Sequence, residues 1–434
     1  MEFPSLVDID FVRKLDSEDE LASFRNLFHF SDPEICYLDG NSLGRLPKRT
    51  IEEVNSFLTN EWGHELVDGW GHWIDQAQTA GDLVGEAALG AASGQVLVCD
   101  TVSVNFYQLC TAAIKARPGR KKVIIDSANF PTDRYVLEGI ADQHGLELIT
   151  LSTDGASGPG AVAIDSEQEL ITPEALAPHL DEDVALLTLQ AINYRSGCRQ
   201  DIKAITDLAR SMGILVVWDC SHAVGSIKLD LDENGVDLAV GCTYKYGNSG
   251  PGSPAWLYVR KELQRELRVP IQGWFAQEKQ FEMGPFFEPS SEIRRFQIAS
   301  PSIIGIRGVE VAFEMIREAG IENIEAKAAL GTQLMIRLAE QWLTELGFTL
   351  ATPQEPAKRG GHIILQHQDA KQIALALRKL KKVIPDYREP GAIRLAVSPL
   401  PTSFEEVYEG FQRLRDLVAT GEYKRVATDG NRVT

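Results

Sequence analysis

The sequence predicts an α/β protein with a large domain, a mostly parallel sheet covered by helices, followed by a smaller α/β domain. Three observations carry this expectation. Between about residues 95 and 245, short apolar runs alternate with helical stretches, the pattern of strand–helix–strand crossovers. From about 303 to 346 the pattern is helical, interrupted at Gly320, and a second, shorter alternation of strands and helices follows. The 434 residues, 44% of them hydrophobic, suffice for more than one buried core.

The elements follow in chain order. The acidic run Asp16-Ser17-Glu18-Asp19-Glu20 precedes Leu21-Ala22-Ser23-Phe24 and predicts a helix opening there, because carboxylates favour the positive end of the helix dipole. Tyr37-Leu38-Asp39-Gly40-Asn41-Ser42-Leu43-Gly44 reads as a short strand entering a glycine-bounded turn. The runs 95–99, 121–125, 146–151, 184–189, 214–219 and 236–240 are the strands of the large sheet, and 104–116, 133–144 and 200–211 are helices between them. Beyond the helical stretch come a strand at Gly361–Leu365, a helix near 370–381, a strand at Ala392–Ala396 and a last helix near 403–419. The expected organisation is an N-terminal segment (1–55) joining the small domain, a large cofactor-binding domain (56–302), a small C-terminal domain (303–421) and a polar tail (422–434) that frays.

A net charge of −19 argues against nucleic acid and anionic membrane surfaces as partners. No apolar run approaches the roughly 18 to 20 residues that cross a bilayer. The start, Met1-Glu2-Phe3-Pro4-Ser5, has neither the basic nor the apolar region of a secretory signal. Six cysteines without a Cys-x-x-Cys pair read as buried, reduced thiols, and eight histidines show no metal-ligand spacing. A cytoplasmic protein without metal is the expectation.

The chemistry centres on Lys245. It follows the apolar run Val236–Val240 and opens a loop rich in Gly, Pro, Ser and Asn, Tyr244-Lys245-Tyr246-Gly247-Asn248-Ser249-Gly250-Pro251-Gly252-Ser253-Pro254. Upstream, Ile214–Asp219 is a second apolar run ending in a carboxylate, with His222 three residues on. A strand-end Asp and a Lys on a glycine-rich loop suit pyridoxal phosphate: the amine forms the Schiff base and the carboxylate keeps the pyridine nitrogen protonated. Asp100-Thr101-Val102-Ser103-Val104-Asn105 joins a strand end to a helix start, where amide N–H groups suit a phosphate and where Thr101 or Ser103 equally suits simple capping. At the next such junction, Phe130-Pro131-Thr132-Asp133, Pro131 presets the turn, Phe130 can stack on a planar ring, and Asp133 caps a helix or orients the cofactor.

Together these residues resemble kynureninase, a pyridoxal phosphate enzyme of fold type I. The segments carrying the resemblance are Gly40-Asn41-Ser42-Leu43-Gly44, Phe130-Pro131-Thr132-Asp133, Asp219 with His222, the Lys245 loop, Gly273-Trp274-Phe275, Ser291–Ser302 and Ile393-Arg394-Leu395-Ala396 with Pro399-Leu400. They run in order through nearly the whole chain. The resemblance implies hydrolysis of the Cβ–Cγ bond of L-kynurenine or 3-hydroxykynurenine, giving anthranilate or its hydroxy form and L-alanine. It implies Lys245 as the cofactor-linked base, Asp219 at the ring nitrogen with His222 and Gln190 close by, and Tyr244 as a phosphate ligand and acid. It further implies that Val102 and Ser103 help bind phosphate, that Phe130 stacks on the ring with Pro131 and Thr132 beside it, and that Asp133 supports the ring. Trp274 and Ser300 match positions that reach the cofactor from a neighbouring subunit, so a homodimer with shared active sites is implied. Arg394 matches the arginine that grips the substrate carboxylate, while His64 and Ser300 match substrate-contacting positions.

Four residues depart from the family pattern: Gln190, where a small hydroxyl residue is usual; Ser300, where Asn or Thr is; and Ser398 and Pro401 near the carboxylate-binding strand. They bear on substrate identity rather than cofactor chemistry. The rival readings are a fold-type I β-lyase or transaminase acting on another β-substituted amino acid, a cysteine desulfurase, and a scaffold that has lost its cofactor. The absence of any Cys after Cys242 speaks against a desulfurase, and the presence of Lys245, Asp219, Tyr244 and Arg394 against the scaffold.

Overall fold

The structure, a computed structural model, describes residues 3–152 and 169–427. The six runs expected as strands form β2 (Val96–Val98), β3 (Lys122–Asp126), β4 (Glu147–Leu151), β5 (Val184–Gln190), β6 (Leu215–Asp219) and β7 (Leu238–Gly241). A seventh strand, β8 (Trp256–Val259), was not expected from the sequence. Its four apolar residues follow directly on the Gly/Pro/Ser cluster and are too short a run to stand out. The sheet order is β2-β8-β7-β6-β5-β3-β4. β7, β6, β5, β3 and β4 are parallel, and β8 is antiparallel to both of its neighbours. Every residue of β5, β6 and β7 is buried, as continuous apolar runs require when helices cover both faces.

The helices between the strands begin at junctions with recognisable caps. Thr101 Oγ1 accepts from the N–H of Val104 (3.3 Å) to start the helix Val102–Lys115. Pro131 occupies the first turn of Pro131–His144, where its missing N–H costs nothing. Asp201 Oδ1 accepts from the N–H of Ala204 (2.9 Å) to start Ile202–Ser211.

The smaller sheet has the order β12 (Asp386–Arg388), β13 (Ala392–Ala396), β10 (His362–Gln366), β9 (Thr349–Leu350), all antiparallel. β1 (Cys36–Tyr37) pairs in parallel with β11 (Val383–Ile384), which draws the N-terminal segment onto the C-terminal one. Val7, Val12, Leu15, Cys36 and Leu38 share a core with residues between Leu334 and Val426. The helix Ile303–Ala319 packs differently from the expectation: Ile306, Val309, Phe313 and Ile316 belong to the core of the large sheet. Gly320, at φ +77°, breaks the chain there and lets the next helix, Ile321–Trp342, turn towards the second core.

Two expectations are corrected. The early helix is Ile9–Ser17, which ends in the acidic run instead of starting from it; residues 22–27 form only a 3₁₀ turn. Asp8 supplies the cap, accepting from the N–H of Phe11 (2.9 Å), and the acids are committed elsewhere. Asp16 caps the last helix, accepting from the N–H groups of Phe404 (2.7 Å) and Glu405 (2.8 Å), while Asp19 pairs with buried Lys327 at 2.7 Å. The tail is also more structured than expected. Residues 422–425 form a 3₁₀ turn, with Tyr423 buried and its hydroxyl donating to Asp369 (2.8 Å); residues 428–434 lie outside the described residues. Among the described residues no helix is long and apolar enough to cross a membrane.

Candidate active site

The carboxyl ends of the parallel strands set the site, as expected for an open α/β sheet. In register, Asp219 lies opposite Gln190 on one side and Val240 on the other, so the ends of β5, β6 and β7 stop at one level. The loop after β7 then brings Lys245 Nζ within 2.8 Å of His222 Nε2 and 5.9 Å from the centroid of the Phe130 ring. Burial pushes the Lys245 amine below the usual lysine range, and it pushes His222 well below the usual histidine range, with the Lys245 charge adding to the effect. Both changes favour the neutral forms, and a neutral amine is the nucleophilic one.

Asp219 is held from two sides: Oδ1 accepts from the N–H of Ser221 (2.9 Å) and Oδ2 from Gln190 Nε2 (3.4 Å). Burial, and then the charge of Asp219, raise the carboxyl of Asp133 well above the carboxylate range. Asp133 is therefore the member of this pair whose proton is held more firmly than in an ordinary carboxyl.

These side chains line a cavity of about 440 Å³ with two chemically distinct ends. At one end are Thr101, Val102, Ser103, Gly252 and Ser253, around the first turn of Val102–Lys115, where N–H groups have no acceptor within the helix. At the other are Asn41, Ser42, Tyr194, Arg388 and Arg394, contributed mostly by the N- and C-terminal segments. Arg394 Nη2 donates to Ser42 Oγ (3.0 Å) and Asp386 Oδ2 (2.5 Å), and its Nη1 to the carbonyl of Tyr194. Between the ends stand Phe130, Thr132, Asp133, Gln190, Asp219, His222, Tyr244 and Lys245. Phe130 is fixed edge-on against Tyr194, with ring centroids 5.2 Å apart.

This arrangement fits pyridoxal phosphate: an anion cradle, an aromatic face, a buried carboxylate and an amine occupy one cavity. Two further observations support the fit. The buried Nδ1 of His222 has no partner, and both polar side-chain atoms of Asn41, a residue 0% exposed, are likewise without one. Both residues line the cavity, where a ligand could complete their bonding.

Of the residues expected at the site, Val102, Ser103, Phe130, Thr132, Asp133, Gln190, Asp219, His222, Tyr244, Lys245 and Arg394 line this cavity, and Pro131 opens the helix beside it. Three do not reach it within one chain. Trp274 is 45% exposed, Ser300 borders a separate apolar hollow beside Trp62, Leu66, Val67 and Ile304, and His64 lies exposed in the same neighbourhood. Of the departures from the family pattern, Gln190 lines the cavity itself, while Ser300, Ser398 and Pro401 do not. Gln190 touches Asp219, and the carbonyl of Pro401 accepts from Arg25. Ser398 is packed so tightly under Gly40 that a Cβ there would fall 1.6 Å from its hydroxyl.

Residues given no role from the sequence also line the cavity or support it: Tyr194, Arg388, Asn41, Ser42, Ser253 and, behind them, Asp386. Asp386 and Arg388 had a usable signal, since residues two apart on a strand share a face and Asp386-Tyr387-Arg388 places opposite charges there.

Comparison with known proteins bears on this site. A family model described as the kynureninase C-terminal domain matches residues 324–414. Over 413 residues the chain is 35% identical to a kynureninase of Pseudomonas fluorescens, covering 93% of this chain and 94% of the relative. It is 35% identical over 427 residues to a kynureninase of Geobacillus thermodenitrificans, covering 97% of each. Among solved structures, the apo cysteine desulfurase from Thermococcus onnurineus NA1 is similar in fold (TM-score 0.74, 17% identity, 96% of this chain and 100% of that one). So is a C-DES mutant with glycine covalently linked to the pyridoxal phosphate cofactor (TM-score 0.73, 16% identity, 88% and 97%).

Proposed function

The chain belongs to the kynureninase family, and we propose that the cavity around Lys245 is where it hydrolyses the Cβ–Cγ bond of L-kynurenine with pyridoxal phosphate as cofactor. The observation that carries the assignment of the site is the convergence of Lys245, Asp219, His222 and Arg394 on one cavity with an anion-binding helix end. The fold-level likeness to cysteine desulfurases does not extend to thiol chemistry. All six cysteines are buried, and burial raises the thiol of Cys36 to about 12.

When bound, pyridoxal phosphate supplies an electron sink beside the substrate α-carbon. The first turn at Val102 and Ser103 would hold its phosphate, Phe130 would pack against its ring, and the Asp219 carboxylate would hold a proton at its ring nitrogen. Lys245 anchors the cofactor and moves the proton at the α-carbon. The guanidinium of Arg394 orients the substrate carboxylate. Water adds its oxygen to the side-chain carbonyl carbon; the Cβ–Cγ bond breaks, that carbon leaves as the anthranilate carboxylate, and Cβ takes up a proton to complete alanine. Tyr244 suits that last transfer. The charge that would build on Cys242, then burial, raise its pKa and keep the phenol protonated and able to donate.

The same reading includes a homodimer. Ser300 borders a hollow with the exposed apolar side chains Trp62 (54% exposed), Leu66 (63%) and Val67 (74%), His64 falls between these in sequence, and Trp274 is itself 45% exposed; such a surface suits cover by a second copy that would receive these residues at its own cavity. Incubation of purified, cofactor-loaded protein with L-kynurenine and with 3-hydroxykynurenine, products read by mass, tests the function and the substrate preference together. Release of anthranilate or its 3-hydroxy form with alanine, and no need for a keto acid, is the expected result. Turnover only in the presence of a keto acid would make the protein a transaminase.

A further inference from the structure

Two guanidinium groups meet on one buried carboxylate at the substrate end of the cavity. Asp386 Oδ2 lies 2.8 Å from Arg388 Nε and 2.5 Å from Arg394 Nη2. The antiparallel register sets Asp386 directly opposite Arg394, and the two-residue period of β12 returns Arg388 to the same face. Both Asp386 and Arg394 are essentially sealed from solvent, at 0% and 1% side-chain exposure, whereas Arg388 keeps 23%.

The donor count separates the two arginines. A guanidinium has five N–H donors in a planar fork, and a bidentate grip on a carboxylate uses two parallel ones. Both terminal nitrogens of Arg394 already serve protein acceptors, Nη1 the Tyr194 carbonyl and Nη2 Ser42 and Asp386, so that only its buried Nε has no partner. Arg388 spends only Nε on Asp386, and neither of its terminal nitrogens has an acceptor among the described residues. Its guanidinium carbon lies 5.9 Å from the Tyr194 ring centroid, and the residue lines the cavity. The charges agree with the geometry. Arg388 and Arg394 carry two positive charges against the one negative charge of Asp386, so the cluster holds one positive charge in excess, the complement of one substrate carboxylate.

We propose that Arg388 is a second direct ligand of the substrate α-carboxylate, its free fork aimed by Asp386, which acts as the positioning residue for both arginines. This deepens the proposed function and rests on it. The bland alternative makes Arg388 only a surface-side partner of Asp386, in which case its loss changes stability without any dependence on what the ligand carries.

The test uses cofactor-loaded protein and two probes: 4-(2-aminophenyl)-4-oxobutanoate, which is kynurenine without its α-amino group and cannot turn over, and the corresponding carboxamide. Dissociation constants are measured by calorimetry. The wild type should bind the carboxylate at least about tenfold tighter than the amide, equivalent to about 1.4 kcal/mol. Arg388→Gln should cut that ratio by about tenfold. Arg388→Lys should fall between, because it keeps the charge and loses the fork. Asp386→Asn should lower the ratio and raise KM for L-kynurenine with kcat within about twofold of wild type, the pattern of lost uniform binding. A ratio in Arg388→Gln equal to that of the wild type overturns the proposal; should that variant fail to fold, the same equality in Arg388→Lys does so. A wild type that makes no distinction between the probes refutes instead the placement of the substrate at this cavity.

Discussion

Asp39 offers a test of the electrostatics beneath the substrate end. Burial, and then the charge of Asp386, raise its carboxyl from 3.8 to about 6, despite Arg378 Nη2 at 3.4 Å and the turn at Ser42. A carboxyl moved from 3.8 to about 6 represents about 3 kcal/mol. The direction follows from proton linkage. Below pH 3.8 the group is protonated whether the chain is folded or not, and it contributes nothing. Between 3.8 and about 6 the folded protein keeps a proton that the unfolded chain has released, so stability falls as pH rises; above about 6 the loss is complete. Asp39→Asn removes the titration while keeping the size of the side chain. Its stability relative to wild type should therefore climb by about 2.4 kcal/mol between pH 4 and pH 7, most of the full difference. Urea denaturation of both proteins at pH 4, 5, 6 and 7, compared at constant m-value, reads this directly. A difference independent of pH, or one that moves against Asp39→Asn as pH rises, would refute the reasoning and show that the Arg378 contact outweighs the burial of the charge.

Three further outcomes follow from the site. Lys245→Ala should abolish turnover together with the absorbance of the covalently held cofactor, and borohydride reduction of the wild type should leave the pyridoxyl group on the peptide containing Lys245 and on no other. Asp219→Ala should retain cofactor but lose at least about a hundredfold in turnover, close to 3 kcal/mol of barrier, and a near-normal rate would mean that another group holds the ring proton. Mixing inactive Lys245→Ala protein with inactive Trp274→Ala protein should restore part of the activity if each site draws on both subunits; absence of recovery after verified subunit exchange would count against shared sites.

The cofactor end of the site was legible in the sequence because its signals are local. Asp219 closes an apolar run, Lys245 opens a turn-rich loop, and Pro131 and Thr101 mark helix starts, so each residue could be placed from its immediate neighbours. The substrate end was legible only at Arg394, through strand alternation. Asp386 and Arg388 share a face of β12 by strand alternation, but that Asp386 meets Arg394 needed the register between β12 and β13. Long-range use of a side chain defeated the reading of Asp16 and Asp19 as first-turn acids: they serve Phe404, Glu405 and Lys327, nearly four hundred and about three hundred positions away. Apolar periodicity likewise identified the helix Ile303–Ala319 without revealing which core it would join, since a hydrophobic stripe does not name its partner.

The N–H of Gly44 donates to the carbonyl of Tyr244 at 2.8 Å, tying the turn that carries Asn41 and Ser42 to the lysine loop, while Arg394 approaches from the far end of the chain. A polypeptide growing on the ribosome can therefore build the sheet that carries Asp219 and Lys245 well before it can form the substrate end. That end must await residue 394, and its N-terminal wall must wait with it, because β1 pairs with β11. On the proposed assignment, the chain's own residues for the cofactor half are therefore synthesised before the arginine proposed to grip the carboxylate, and the wall carrying Asn41 and Ser42 gains its partner strand only with β11.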